Sequence, residues 1–316
     1  MVKIAVLDDY QGVALSKADW NSISSGEVTV FRDNLIEAEA LARRLADFEV
    51  VCLMRERTPM QRPLFESLPK LKLLVTTGAR NASVDMQAAG DHGVVVCGTR
   101  GTNPPTAELT WGLILACMRQ IAFEDRAMRR GQWQSTVGRT LAGATLGLLG
   151  LGRLGSYVAK VGKAFDMNLI AWSQNLTEAK AAEAGAKLVT KHDLLRTADI
   201  VSIHLVLSAR SRGLVGAQDF AFTKPTASLP NSSRGPLVHE TALIEALRSR
   251  RIAGAGLDVY DREPLPADHV LRSLDNVVLT PHLGYVTEDT YGVFYPDTVE
   301  NIKAWLAGSP VRVIKA

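Results

Sequence analysis

Three side chains in the second half of the chain have types and settings suited to acid-base chemistry on a small anion. Arg234 lies in LPNSSRGPLV, Glu263 in LDVYDREPL and His282 in NVVLTPHLGY, each just past a short apolar run. A guanidinium offers a two-pronged grip on a carboxylate. An imidazole can give up a proton near neutral pH, and a carboxylate bonded to its other nitrogen fixes the tautomer and raises its pKa. Such acid catalysis is worth roughly 10² to 10⁴ in rate. Singly, each residue also fits a blander role as surface arginine, solvated loop acid or turn histidine. Their shared position at the carboxyl ends of strands in one sheet favours chemistry, because open α/β sheets bind ligands there.

A second constellation is TLGLLGLGRLG, with Gly150, Gly152 and Gly155 in GxGxxG spacing after an apolar strand and before the helix-compatible SYVAKVGKAF. The first glycine permits a tight turn, the second lets backbone approach a pyrophosphate, and the third lets helix pack on strand. The helix N-terminus then presents unpaired N–H groups to the anion. Arg153 and Leu154, between the glycines, belong to the same candidate cofactor-binding turn. An acid for the adenosine ribose is expected at the end of the next strand, about 20 residues on. Ser173 and Gln174 stand there instead. A carboxylate would repel a 2′-phosphate, so its absence admits NADP, yet no arginine is present to bind that phosphate. The reading is NAD or NADP. Hydride transfer between such a cofactor and a 2-keto acid needs a cation, a proton donor and a group that holds the donor. Arg234, His282 and Glu263 are one candidate for each.

The elements that must carry these residues follow from the alternation of short β-branched runs with longer amphipathic ones, the signature of parallel strands joined by crossover helices. Strands are expected near 4–7, 28–31, 50–54, 73–76 and 94–97, and a second series near 145–149, 169–172, 200–205, 227–229, 255–259 and 277–280. Between the series, PPTAELTWGLILACMRQIAFEDRAMRRG reads as a single unbroken helix from Pro104 to Gly131 that connects two domains. A further helix is expected over 288–306, and the closing VRVI is suited to packing on the first domain. The expected fold is α/β, with two doubly wound domains. A Rossmann-type dinucleotide-binding domain, 104–287, is inserted into a flavodoxin-like substrate domain, 1–103 plus 288–316. Pro230 stands in or beside a strand, and having no N–H to donate it should end that strand or locally break it.

Composition sets the outer limits. The chain has 316 residues, 47% hydrophobic and 22% charged, with 36 basic and 33 acidic side chains and a formal charge of +3. That excludes disorder as the main state and argues against a nucleic-acid partner. Cys52, Cys97 and Cys117 have no zinc or redox-dithiol spacing, so no metal is expected and a reducing, cytoplasmic setting is. The longest apolar stretch, 111–118, is too short to cross a bilayer, so no membrane association is expected.

The ordered set GLGRLG, NSSRGPLV, LDVYDREPL and TPHLGY resembles the D-isomer-specific 2-hydroxyacid dehydrogenases, which include phosphoglycerate dehydrogenases and glyoxylate or hydroxypyruvate reductases. TTGARNASVD and NPPTAELTWG also look like that family's substrate loop and interdomain helix, so the likeness spans nearly the whole chain. The resemblance implies that Arg234 binds the substrate carboxylate and keto oxygen, that His282 exchanges the proton, and that Glu263 is its partner. It implies that Asp258 holds the nicotinamide carboxamide. Gly78 and Ala79 would be backbone donors to the substrate, Arg55 a substrate-facing arginine, and Thr99, His204 and Ser232 cofactor-binding positions. It also implies a homodimer paired through the cofactor domain, acting on a small 2-keto or 2-hydroxy acid. A nucleotide-sensing, corepressor-like binding protein on the same fold is the alternative. Its weakness is that a pure sensor has no need of Arg234, Glu263 and His282 together.

Overall fold

The computed structural model describes residues 1–102 and 105–315. The chain divides into two compact units, Met1–Asn103 with Thr287–Ala316, and Pro104–Val286. The expected boundary between residues 103 and 104, and the start of the connecting helix at Pro104, fall outside the described residues.

In the first unit, β1 (Val2–Val6), β2 (Gly26–Val30), β3 (Val50–Leu53), β4 (Leu73–Thr76) and β5 (Val95–Cys97) form one parallel sheet in the order β2-β1-β3-β4-β5. This is the doubly wound order of a flavodoxin-like fold. The central strands β3 and β4 are buried along their whole length, as a parallel sheet covered on both faces requires. Leu53, Leu74, Met60 and Phe65 sit in its core. The long helix Glu288–Leu306 and the closing segment belong to this unit, where Val313 bridges Cys97 in antiparallel fashion.

The second unit holds β6 (Thr145–Leu149), β7 (Asn168–Trp172), β8 (Lys187–Leu188), β9 (Ile200–Ile203), β10 (Ser228–Asn231), β11 (Gly254–Leu257) and β12 (Val277–Leu279). They run in the order β12-β11-β10-β9-β6-β7-β8, so the chain winds outward from β6 in both directions. Strand β6 explains how both faces are covered. Leu146 and Leu148 enter a core with Trp111, Ile114 and Val158, while Leu149 enters another with Leu194, Phe220 and Leu243. Successive side chains on a strand point to opposite faces.

Two expectations from the sequence are revised, and of the two outcomes expected for Pro230 the local break is the one observed. The single helix over 104–131 is two helices, Pro105–Met118 and Ile121–Arg129, because Gln120 adopts a left-handed φ of 55° and the Arg139 amide caps the Met118 carbonyl at 2.8 Å. A seventh strand, β8, is only two residues long and falls below what alternation can signal. Pro230 does not end its strand but lies inside β10, which pairs with β11 at all four positions and with β9 only at Ser228 and Asn231. Ser228 donates to the Asp199 carbonyl on the β9 side, so two residues on, the missing N–H of Pro230 faces the same neighbour. The break is confined to one ladder, and Asn231 regains the register before the turn to Arg234.

Candidate active site

The site in the second unit is assembled at the carboxyl ends of β10, β11 and β12. Beyond β10, the buried Asn231 braces the turn that presents Arg234. Its Oδ1 accepts from the Ser233 amide at 3.0 Å and its Nδ2 donates to the Arg234 carbonyl at 3.0 Å. Ser233 Oγ donates to the Leu205 carbonyl at 2.6 Å, and Arg234 Nη1 donates to the Ser233 carbonyl at 2.6 Å. Gly235 is required here by close approach, since a Cβ on it would lie 2.1 Å from the Tyr260 carbonyl carbon.

Beyond β11, the backbone turns so that Glu263 reaches back. Its Oε1 accepts from the Tyr260 amide at 3.0 Å and its Oε2 meets His282 Nδ1 at 2.5 Å. Burial pushes the Glu263 carboxyl up, but the His282 bond and charge, the Tyr260 amide and the Arg234 guanidinium outweigh it and hold the group below the usual carboxylate range. With Nδ1 committed to Glu263, Nε2 is the ring nitrogen that can exchange a proton with a ligand. The His282 side chain is 20% exposed, open enough for that exchange.

Beyond β12, His282 sits at a left-handed φ of 55° in the loop Thr280–Gly284. Fully buried Asp258 holds this loop with three bonds. Thr280 Oγ1 and the Leu283 amide donate to Oδ1 at 2.7 Å each, and the Gly284 amide donates to Oδ2 at 2.9 Å. Burial pushes the Asp258 carboxyl up, against these donors and the His282 charge, which pull it down. Tyr260 Oη adds bonds to the Leu257 and Thr280 carbonyls at 3.0 and 2.9 Å, and Thr106 Oγ1 donates to the Gly284 carbonyl at 2.9 Å.

The glycine turn lies after β6. Gly150 has φ +100°, a conformation that L side chains rarely adopt, and a Cβ there would also lie 2.8 Å from the His204 carbonyl. A Cβ on Gly155 would lie 2.3 Å from the Gly150 oxygen, so helix Arg153–Ala164 packs directly on the turn. Gly152, the N-cap of that helix, has no heavy atom within 4 Å of a Cβ position and supplies no side-chain cap. The helix that begins at Arg153 and Leu154 thus starts without a side-chain cap, beside open space at Gly152 of the kind a pyrophosphate fills. His204 borders this turn, with Nε2 2.9 Å from Ser202 Oγ, and burial holds its pKa low, to about 4. Ser173 and Gln174 follow β7, half-buried and exposed respectively. Ser232 shares a 2.6 Å hydroxyl contact with Thr110, so its side chain is already engaged.

In the first unit, Arg55, Gly78 and Thr99 come together at the ends of β3, β4 and β5. Gly78 donates its amide to Thr99 Oγ1 at 2.7 Å and accepts from the Thr99 amide at 3.0 Å. A Cβ on Gly78 would lie 1.8 Å from Arg55 Nη1, which donates to the Thr77 carbonyl at 3.0 Å. Two of the groups are already engaged within the fold. The Gly78 amide is spent within the fold, and three of the acceptor positions of Asp258 are taken by the histidine loop. The sequence does not single out the residues that brace the sites, namely Asn231, Tyr260, Thr280 and Asn81, whose Nδ2 donates to the Arg55 carbonyl at 2.6 Å and to Thr76 Oγ1 at 2.8 Å. The signal that could have found Asn231 and Thr280 is a polar residue at the end of a buried strand, beside a motif. Among the described residues, no cluster of three or more His, Cys, Asp or Glu is placed to hold a metal ion, and no helix is long and apolar enough to cross a membrane.

Residues 111–284 match the sequence profile described as D-isomer specific 2-hydroxyacid dehydrogenase, NAD binding domain. The D-3-phosphoglycerate dehydrogenase of Methanocaldococcus jannaschii is 35% identical over 98% of this chain, which spans 58% of that protein's length. The glyoxylate reductase of Aeropyrum pernix is 38% identical over 78% of this chain and 76% of its own. Among solved structures, a phosphoglycerate oxidoreductase from Vibrio cholerae superposes with a TM-score of 0.92 at 36% identity, covering 98% of this chain and 100% of that one. An acyclic imino acid reductase in complex with NADPH and D-Arg reaches 0.76 at 26% identity, over 99% and 100%. The glycine turn, the strand-end arginine and the paired glutamate and histidine stand on a fold that these solved structures share, and with the profile matched over more than half of its length the chain belongs to the D-isomer-specific 2-hydroxyacid dehydrogenase family.

Proposed function

We propose that the protein is an NAD- or NADP-dependent oxidoreductase that interconverts a 2-keto acid and the D-2-hydroxy acid. The observation that carries this is the 2.5 Å contact between Glu263 Oε2 and His282 Nδ1, which commits Nδ1 to the carboxylate and leaves Nε2 as the nitrogen that exchanges a proton with a substrate oxygen. A nicotinamide dinucleotide, when bound, supplies the hydride in reduction and takes it up in oxidation. The helix start without a side-chain cap and the room around Gly152 suit its pyrophosphate. Arg234 holds the substrate carboxylate and polarises the keto oxygen. His282 gives its Nε2 proton to that oxygen as the carbon is reduced, and recovers it in the reverse direction. Glu263 stays ionised and stabilises the imidazolium. Asp258 keeps the histidine loop in place and, with its remaining acceptor position on Oδ2, holds the carboxamide. In the first unit, Arg55 and the Gly78–Ala79 turn are substrate contacts, with Ala79 as the amide donor.

Ser173 and Gln174 favour neither cofactor by charge, so both are retained. A sensor without turnover is not favoured, since the pairing of Glu263 with His282 serves proton exchange. The same reading places the protein in the cytoplasm, in keeping with three free thiols, and as a homodimer. Exposed Ile121, Met128, Trp133 and Val137 on and after helix Ile121–Arg129 are the apolar surface that supports pairing. The deciding experiment is a panel of glyoxylate, hydroxypyruvate and larger 2-keto acids with NADH and with NADPH. Oxidation of the reduced cofactor is expected with at least one acid. Dinucleotide binding without turnover of any of them would overturn the reading and revive the sensor.

A further inference from the structure

We infer that the Thr280 hydroxyl is a positioning group for proton transfer, acting on His282 through the Asp258 carboxylate. The inference rests on the proton-donor reading of His282. His282 occupies a left-handed backbone conformation, which for a residue with a Cβ persists only where the surroundings over-determine it. Central to the surroundings here is one buried carboxylate that ties together three points of one loop, residue 280 before the histidine and residues 283 and 284 after it.

Two of the three donors are backbone amides, which mutation cannot remove without moving the chain. The third is a side chain, and it does separate work. Asp258 Oδ1 receives both Thr280 Oγ1 and the Leu283 amide at 2.7 Å, so the hydroxyl and the amide jointly set the rotation of the carboxylate plane. That rotation determines where Oδ2 meets the Gly284 amide and where its remaining acceptor position points. Without the hydroxyl, the carboxylate is free to swing about the two amides and loses its own tie to the strand side of His282, where the Tyr260 hydroxyl and the Leu257 carbonyl still hold the backbone of residue 280. Glu263 fixes the ring from the Nδ1 side only. Aim at a substrate oxygen requires the backbone of residue 282 to be fixed as well, since displacements near 1 Å cost about a hundredfold in rate.

Valine and serine separate the two halves of the threonine side chain: Thr280→Val keeps the shape and loses the hydroxyl, and Thr280→Ser does the reverse. In the intact protein, Thr280→Val is expected to lower kcat about tenfold, with KM for the keto acid within about twofold, and Thr280→Ser to recover most of the loss. Reduced-dinucleotide affinity, read by fluorescence titration without substrate, is expected to fall by clearly less than kcat does, since the Leu283 and Gly284 amides still hold Asp258. Thermal unfolding confirms that each variant folds. A Thr280→Val enzyme as fast as the parent overturns the inference. So does a loss that Thr280→Ser shares, which would assign the role to packing of the methyl group, or a parallel drop in dinucleotide affinity. His282→Ala is run alongside. Loss of turnover in His282→Ala with an unaffected Thr280→Val refutes the positioning role alone, whereas undiminished turnover in His282→Ala refutes the proton-donor reading itself.

Discussion

The Glu263 carboxylate and the His282 ring meet at 2.5 Å although 19 residues separate them in the chain, and the same carboxylate is held from its other oxygen by the Tyr260 amide. One side of the imidazole is therefore occupied by a fixed anion and the other is left for a ligand. Removing the ring by His282→Ala is expected to lower kcat at least a hundredfold. Glu263→Gln is expected to lower it about 10- to 100-fold, by weakening stabilisation of the imidazolium. Steady-state rates of keto-acid reduction across pH check both. Because Glu263 titrates below its ordinary 4.5, its contribution to folding is present above that pH and lost as pH falls through the lowered value. Urea midpoints of Glu263→Gln should lose that part of the acid dependence.

Gly152 and Gly155 make opposite demands. An alanine at 152 meets nothing within 4 Å of the protein, whereas one at 155 lies 2.3 Å from the Gly150 oxygen. Gly152→Ala is expected to unfold within about 0.5 kcal/mol of the parent, as uncrowded surface changes do. Its dinucleotide affinity should nevertheless fall about tenfold or more, since the added methyl points into the pyrophosphate space. Gly155→Ala is expected to lose stability directly, by about 1–3 kcal/mol. Calorimetry and fluorescence titration of the two variants separate a ligand clash from a packing clash.

Gly235 joins the arginine turn to the glutamate turn. Gly235→Ala forces a methyl to within 2.1 Å of the Tyr260 carbonyl carbon, where the neighbour is backbone and cannot swing aside. A loss of about 1–3 kcal/mol in unfolding free energy is expected. A fall in kcat/KM should accompany it, because Arg234 and Glu263 move with the turns. An unchanged melting temperature would contradict the close approach.

His204 is held neutral by burial, with a pKa of about 4 against an ordinary 6.5. The unfolded chain takes up this proton first as pH falls. Stability is therefore fully present above pH 6.5 and declines between 6.5 and about 4. His204→Gln is expected to flatten that part of the profile, read from denaturation midpoints at half-unit pH steps.

The part of this protein visible in its sequence is the part written in local pattern. Alternating apolar runs located eleven of the twelve strands among the described residues, and the glycine spacing placed a tight turn between a strand and a helix. The residue types beyond three strand ends named the candidate groups, of which Glu263 and His282 meet in the structure. The missed strand, Lys187–Leu188, is too short for alternation to register. The helix break at Gln120 arises because Arg139, remote in sequence, caps the end of the preceding helix.

What only the tertiary structure decided is which polar groups are already committed. Strands β11 and β12 lie side by side with Leu257 opposite Leu279, so Asp258 and Thr280, one residue further on each, are brought within hydrogen-bonding distance. The same adjacency lets the Tyr260 hydroxyl reach the Thr280 carbonyl and sets Glu263 against His282. In the first sheet, neighbouring strands spend the Gly78 amide on Thr99. Strand-end residue types are legible one at a time because each depends on its own stretch of chain. Their hydrogen-bond partners depend on the order and register of strands far apart in sequence, and those are fixed only when the sheet forms.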